Sequence, residues 1–175
     1  MTNLPVPVPR TFTVGEVETG AYLNSLRDAL NFLINVPIVT AGQASVQSIP
    51  NTTWTSLTLD TTVVDSYGGH SNTTNNSRYT AQVAGWYLCC GTCGFAANAT
   101  GFRQIRLAKN GAQVTFSVAT LPVVAATVAT VIVTPTLQVF LAVGDYLEVQ
   151  GFQSSGGALN TTGADPSLTA TWVHA

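Results

Sequence analysis

Three cysteines crowded together, Cys89, Cys90 and Cys93, and two histidines, His70 and His174, are the side chains here that could do thiol or metal chemistry. Cys90-Gly-Thr-Cys93 has the C-x-x-C spacing of a redox pair or half a zinc site. A structural zinc needs four ligands, from a second such pair or from paired histidines. No other cysteine exists, and the two histidines stand far apart in sequence. On a strand, positions 90 and 93 also project to opposite faces. The expectation is three reduced cysteines used as small apolar side chains, with an inter-subunit disulfide as the alternative. Nucleophilic catalysis needs a base beside the nucleophile. There is no Gly-x-Ser-x-Gly motif, His70 lies in a polar loop and His174 is penultimate. Of the acids, Glu16, Glu18 and Asp28 belong to an N-terminal helical region. Asp60, Asp65, Asp145, Glu148 and Asp165 read as turn or strand-edge residues, with no pair marked for glycoside cleavage. No enzyme activity, metal or cofactor is expected. The segment Asp65-Ser-Tyr-Gly-Gly-His70 could hold a cation or a glycan, but it also reads as a loop of Asx turns and glycine reversals. If the molecule recognises a ligand at its apex, Asp65, Tyr67 and His70 are the candidates, together with the Ser154–Asp165 loop.

These groups hang on elements dominated by one segment, Arg78–Asn98. From Trp86 to Ala97 it is apolar or small at almost every position, whereas a half-buried strand alternates. Trp86, Leu88, Cys90 and Thr92 share one parity; Tyr87, Cys89, Gly91, Cys93 and Phe95 share the other. A strand that needs cover on both faces in so short a chain implies that a neighbouring subunit supplies one cover. Trp86, Tyr87, Cys89 and Phe95 are the interface candidates, and parity leaves open which face meets the partner.

Composition agrees with an assembled particle. Only 8% of the 175 residues are charged, against about 25% in ordinary domains. The polar surface is therefore Thr, Ser, Asn and Gln, which cost little entropy or desolvation at interfaces. A net charge of −2 with six basic residues lacks the footprint of nucleic-acid binding; Arg103, Arg106 and Lys109 read as a solvated face. No run is long and apolar enough for a membrane helix. No secretory signal is expected, so the sequons at Asn51, Asn72, Asn75, Asn98 and Asn160 carry little weight.

Along the chain, Met1–Arg10 alternates Pro and Val and favours extended, polyproline-like backbone. Thr13 and Glu16 have capping-box spacing. Ala21–Ile34 reads as a helix stopped by Pro37, with Leu23, Leu26, Leu30 and Leu33 on an a/d seam. That helix either packs on its own domain or joins a short bundle at the base of an oligomer. From Ile38 on, short strands alternate with turns: Thr53–Leu59, Thr61–Val64, Tyr79–Ala97, Phe102–Lys109, Gln113–Val118, Ala126–Val133, Leu137–Leu141, Tyr146–Phe152 and Ser167–His174. Asn110-Gly111 marks a hairpin, and Gly144-Asp145 another turn. This is an all-β, two-sheet sandwich. The division is 1–37, arm and helix, and 38–175, β head.

Four stretches in order carry a resemblance: Arg78-Tyr79-Thr80-Ala81; Val83-Ala84-Gly85-Trp86-Tyr87; Leu107-Ala108-Lys109-Asn110-Gly111; and Leu141-Ala142-Val143-Gly144-Asp145-Tyr146-Leu147-Glu148-Val149. With Trp172 and Val173 near the C-terminus, Ser45–Ala175 resembles the tumour-necrosis-factor-like jelly roll, the fold also of complement-type globular heads. The resemblance implies a compact trimer in which one sheet of each protomer faces the threefold axis. Arm, Leu-seam helix and head together look like small structural proteins of tailed bacteriophage virions. This implies a homotrimeric capsid decoration or head-fibre protein on the virion exterior, made in the bacterial host cytoplasm. An arm of Leu4, Pro5, Val6, Pro7, Val8, Pro9 and Phe12 would dock on the major capsid protein. The alternative is a trimeric tail protein binding a host surface glycan. No nucleic acid, membrane or cofactor enters either reading.

Overall fold

The computed structural model describes residues 11, 13–17, 19–123 and 127–175. The arm residues Leu4, Pro5, Val6, Pro7, Val8, Pro9 and Phe12 lie outside these. One helix, α1 (Gly20–Ile34), precedes fourteen strands: β1 (Ile38–Gly42), β2 (Ser48–Ile49), β3 (Thr55–Ser56), β4 (Thr61–Asp65), β5 (Arg78–Thr80), β6 (Gly85–Phe95), β7 (Phe102–Lys109), β8 (Ala112–Gln113), β9 (Ala119–Pro122), β10 (Thr130–Val133), β11 (Leu137–Leu141), β12 (Tyr146–Gln153), β13 (Leu159–Asn160) and β14 (Ser167–His174).

Two six-stranded antiparallel sheets form a sandwich. In the first the order is β10-β6-β14-β1-β4, with β11 following β10 along the same edge of β6. In the second, β12 and β7 form the centre; β3 and β5 line the outer side of β12, and β8 and β9 that of β7. The pair β2–β13 stands apart. The first sheet contributes Val39, Ala41, Tyr87, Cys89, Cys93, Phe95, Leu168, Ala170 and Trp172 to the core, and the second Tyr79, Ile105, Leu107, Leu147 and Val149. The sheets pack tightly at Gly91, where a Cβ would lie 2.5 Å from Val149 Cγ2.

Predicted and observed elements differ where tertiary contacts intervene. Tyr79–Ala97 is not one strand: β5 pairs with β12 in the second sheet, and after a corner β6 pairs with β14 in the first. Gly85 makes that corner with φ at 151°, and a Cβ there would lie 2.2 Å from Trp172 Nε1. Only glycine combines that backbone with that proximity. The Thr53–Leu59 segment contributes only Thr55–Ser56 to a ladder. The expected strand Gln113–Val118 ends at Gln113. Beyond it the Ser117 hydroxyl takes the ladder's place, accepting from Leu107 N–H at 3.2 Å and donating to Val114 O at 2.7 Å. The Ala126–Val133 strand begins at Thr130, with 124–126 outside the described residues. Ser154–Pro166, expected as loop throughout, includes β13.

The hairpin at Asn110-Gly111 forms as the dipeptide predicts, with φ of 52° and 79°, the left-handed pair a type I′ turn requires. The helix starts later than the capping-box spacing implies. Thr13 N–H does donate to Glu16 Oε2 at 3.2 Å, but this closes a separate turn, and Thr19 is the N-cap of α1.

Candidate functional site

β6 decides the question that parity left open. Tyr87, Cys89, Cys93 and Phe95 point into the sandwich and are fully buried within the single chain. Tyr87 Oη donates to Val83 O at 2.6 Å, and its ring meets Tyr79 edge-on with centroids 6.1 Å apart. Tyr87, Cys89 and Phe95 are thus core residues and drop out as interface candidates. A side chain already enclosed by its own second sheet has no surface to offer a partner. Of the four, only Trp86 faces outward.

Trp86 lies on a broad apolar face of the first sheet. It is 38% exposed and Leu88 43%. The register places Phe140 of β11 beside Trp86, with ring centroids 5.7 Å apart at 67°. Val131 and Val133 of β10 pair with Gly94 and Thr92, and His174 stacks on the indole at 6.1 Å. All these apolar residues are exposed, Phe140 to 44%. Trp86, Leu88 and Phe140 form an exposed apolar patch, while at Gly94 and Thr92 the outer side of β6 is covered by Thr162 and Asp165. Leu88 shares the Trp86 parity that the sequence left open as the interface face, whereas Val131, Val133 and Phe140 were not among the predicted interface residues. Alternation within Leu137–Leu141 would have separated outward Phe140 from inward Val139 and Leu141, but only the pairing with β6 puts it beside Trp86.

The helix carries a second unpartnered apolar stripe. Leu23, Leu26, Leu30 and Leu33 are 57%, 50%, 52% and 66% exposed. Phe32 is its one buried residue, meeting Trp172 edge-on at 4.8 Å. The helix is tied to the head at its C-terminal end, while the a/d seam faces away.

The β4–β5 loop is held from within. Asp65 accepts the backbone N–H groups of Tyr67, Gly68 and His70 at 3.3, 2.9 and 2.8 Å. The His70 ring nitrogens lie 2.9 Å from the carbonyl oxygens of Arg78 and Leu59. Tyr67 packs partly against the core. All three predicted apical residues are therefore brought together, but as the loop's internal scaffold. Beside them lies Arg78 at the start of β5, which was not among the predicted site residues.

The cysteines form no pair: all three thiols are free. Burial pushes Cys89 up to about 12 and Cys93 higher still. Cys90 is half-buried on the outer face, 3.8 Å from Thr134 O. Among the described residues, no three His, Cys, Asp or Glu side chains group as metal ligands.

The expected basic face is corrected. Arg103 shares inward parity with Ile105 and Leu107 and is fully enclosed. Its guanidinium donates to the carbonyls of Asn98, Thr100 and Phe102 at 3.2, 3.0 and 3.1 Å, and burial lowers its pKa. It closes the end of the core. Arg106 lies 4.1 Å over the Trp54 ring and donates to Gln150 Oε1 at 2.8 Å. Lys109 pairs with Asp145 at 2.8 Å.

A scan against protein-family models gives no match, nor does a search of curated proteins. Solved structures do match. Murine APRIL at pH 8.5 superposes with a TM-score of 0.58 at 12% identity, over 78% of this chain and 98% of that one. The globular domain of zebrafish complement 1qA gives 0.51 at 14%, over 79% and 97%. Eiger TNF from S. frugiperda gives 0.51 at 9%, over 78% and 92%. At such identities the likeness establishes architecture: the chain is an all-β jelly roll of the TNF and C1q type, carrying one short N-terminal helix.

Proposed function

We propose that this chain is the subunit of a homotrimeric structural head, assembled through the outer face of its first sheet and the leucine seam of α1. One observation carries the reading: among the described residues, Trp86–Leu88–Phe140 on the first sheet and Leu23–Leu26–Leu30–Leu33 on the helix are apolar stripes left uncovered. Both want the same kind of partner, a second copy of the same surface. Covering half-exposed side chains of this size contributes on the order of 1 kcal/mol each, and three copies related by a threefold axis close a ring. The TNF and C1q-type architecture supports a threefold arrangement.

Within that reading the trimer decorates the exterior of a tailed-phage capsid. Its arm, Leu4–Pro9 with Phe12, lies along the major capsid protein, and three arms together give avidity that one lacks. This setting rests on the resemblance of arm, seam helix and head to small virion proteins. No catalytic role is proposed. The alternative location is the tail tip, where the head would contact a host surface glycan.

Light scattering on the purified protein tests the trimer: the expected mass is about three times 18.3 kDa. Leu88→Arg should leave the far-UV spectrum unchanged and yield monomer. A monodisperse wild-type monomer removes the reading. Immunogold electron microscopy of virions tests the location. Gold over the head agrees with decoration, gold at the tail tip with the alternative. Deleting residues 1–10 should preserve the trimer and abolish attachment; a truncated protein that still decorates particles excludes the arm as anchor.

A further inference from the structure

Beside the β4–β5 loop lies an open depression of about 320 Å³, lined among others by His70, Ser71, Thr74, Asn75, Arg78 and Gln82. Its lining holds hydroxyls, amides and one permanent cation, with no carboxylate and no large apolar side chain. The guanidinium of Arg78 lies 4.6 Å over the Tyr146 ring. A cation held over a ring face is restrained by the ring quadrupole, and a guanidinium there keeps N–H donors for a further partner. Among the described residues that fork has no ion pair and no hydrogen bond. Glu148 stands opposite Arg78 in the ladder, yet accepts the Ser77 hydroxyl at 2.8 Å instead. The other acid nearby, Asp65, is occupied by three backbone N–H groups of the loop. The walls are pre-set as well. The loop lies tight on β5 through Thr80 N–H to Gly69 O at 2.8 Å, so closely that a Cβ on Gly69 would sit 2.3 Å from Thr80 O.

An oriented guanidinium with unused donors matches a carboxylate in two-point geometry. Hydroxyls and amides around it match a hydroxyl-rich ligand. We propose that the depression binds an acidic sugar, its carboxylate on Arg78 and its hydroxyls toward Ser71, Thr74 and Asn75. The site lies within one chain and does not depend on the trimer.

The test is an NMR titration of the full ¹⁵N-labelled chain with D-glucuronate, D-glucose and acetate. Glucuronate should produce saturable shifts at the Gly68, Gly69 and Ser71 amides with a millimolar Kd. Glucose and acetate should each bind at least about tenfold more weakly, since each supplies half of the recognition. Arg78→Gln should weaken glucuronate binding by about tenfold or more. Thr74→Trp, at an exposed position, should fill the depression and abolish binding with an unchanged thermal midpoint, which keeps the test decisive if Arg78→Gln folds poorly. The monomeric Leu88→Arg protein should bind as wild type does, separating this inference from the oligomer. No saturable shift with glucuronate, equal response to glucose or acetate, or undiminished binding by both site variants would each overturn it.

Discussion

At Asp145 one carboxylate joins three segments. It takes Lys109 Nζ, Asn110 Nδ2 and the Ala142 N–H, each at 2.8 Å. The bond to Lys109, then those to Asn110 and Ala142, hold its pKa down at about 2. A carboxylate depressed in the folded state adds stability above its unfolded value near ~4, and that stability fades as pH falls from there toward about 2. Asp145→Asn should cost about 1–3 kcal/mol at neutral pH, read from urea midpoints, with the gap to wild type narrowing in acid. The cysteines separate just as sharply. Cys89 and Cys93 are buried with raised pKa values, so neither supplies thiolate at neutral pH. In the Leu88→Arg monomer one thiol per chain should react with a disulfide reagent, and Cys90→Ser should remove it. In the trimer Cys90 should be protected. Two or three fast-reacting thiols in the folded monomer would contradict the packing around β6.

At the scale of elements, α1 is the instructive one. Fifteen residues are marginal for an isolated helix. Its one buried residue, Phe32, lies at its C-terminal end, where it meets Trp172. The rest must gain stability elsewhere, and its exposed seam says where. Leu26→Asp combined with Leu30→Asp should leave head unfolding nearly unchanged while lowering the trimer–monomer midpoint by tenfold or more in concentration. Hydrogen exchange should show lost protection in 20–34 and retained protection in β6 and β14. A double variant whose trimer affinity is unchanged would mean that the seam packs on something other than its own copies. The β4–β5 loop makes the contrasting case: polar, yet pinned by Asp65 and His70 at both ends, it is built to hold a shape.

For the whole molecule, the two sheets divide the labour. The first has a core side and an outer side on which Trp86, Leu88 and Phe140 stand beside the Ser167, Thr169 and Thr171 row of β14. The second shows Arg106, Trp54, Gln150 and Gln113 on its outer surface, bonded among themselves. In the proposed trimer the first sheet turns inward and the second forms the outer wall. Because so few surface groups are charged, assembly of the isolated head should depend weakly on salt. Sedimentation in low and high salt should give similar trimer dissociation constants; a large salt dependence would point to ion pairs as the source of association.

Local chemistry determined much by itself. The Asn110-Gly111 turn, the helix stopped before Pro37 and the doubly apolar character of β6 follow from residue type and spacing, because turn dihedrals, proline geometry and strand parity are short-range properties. Parity cannot say which side of a strand is inside. That was decided by the second sheet closing on Gly91 through Val149, which committed Tyr87, Cys89 and Phe95 to the core and left Trp86 outside. Arg103 looks solvated in a run with Arg106 and Lys109. Only the folding of Asn98–Thr100 back over it encloses it and gives its two terminal nitrogens carbonyl partners, while Nε stays buried without one. Arg78 acquires its meaning from Tyr146 on another strand and from a loop whose acid is spent internally. Such pairings join residues distant in sequence, and tertiary structure alone creates them.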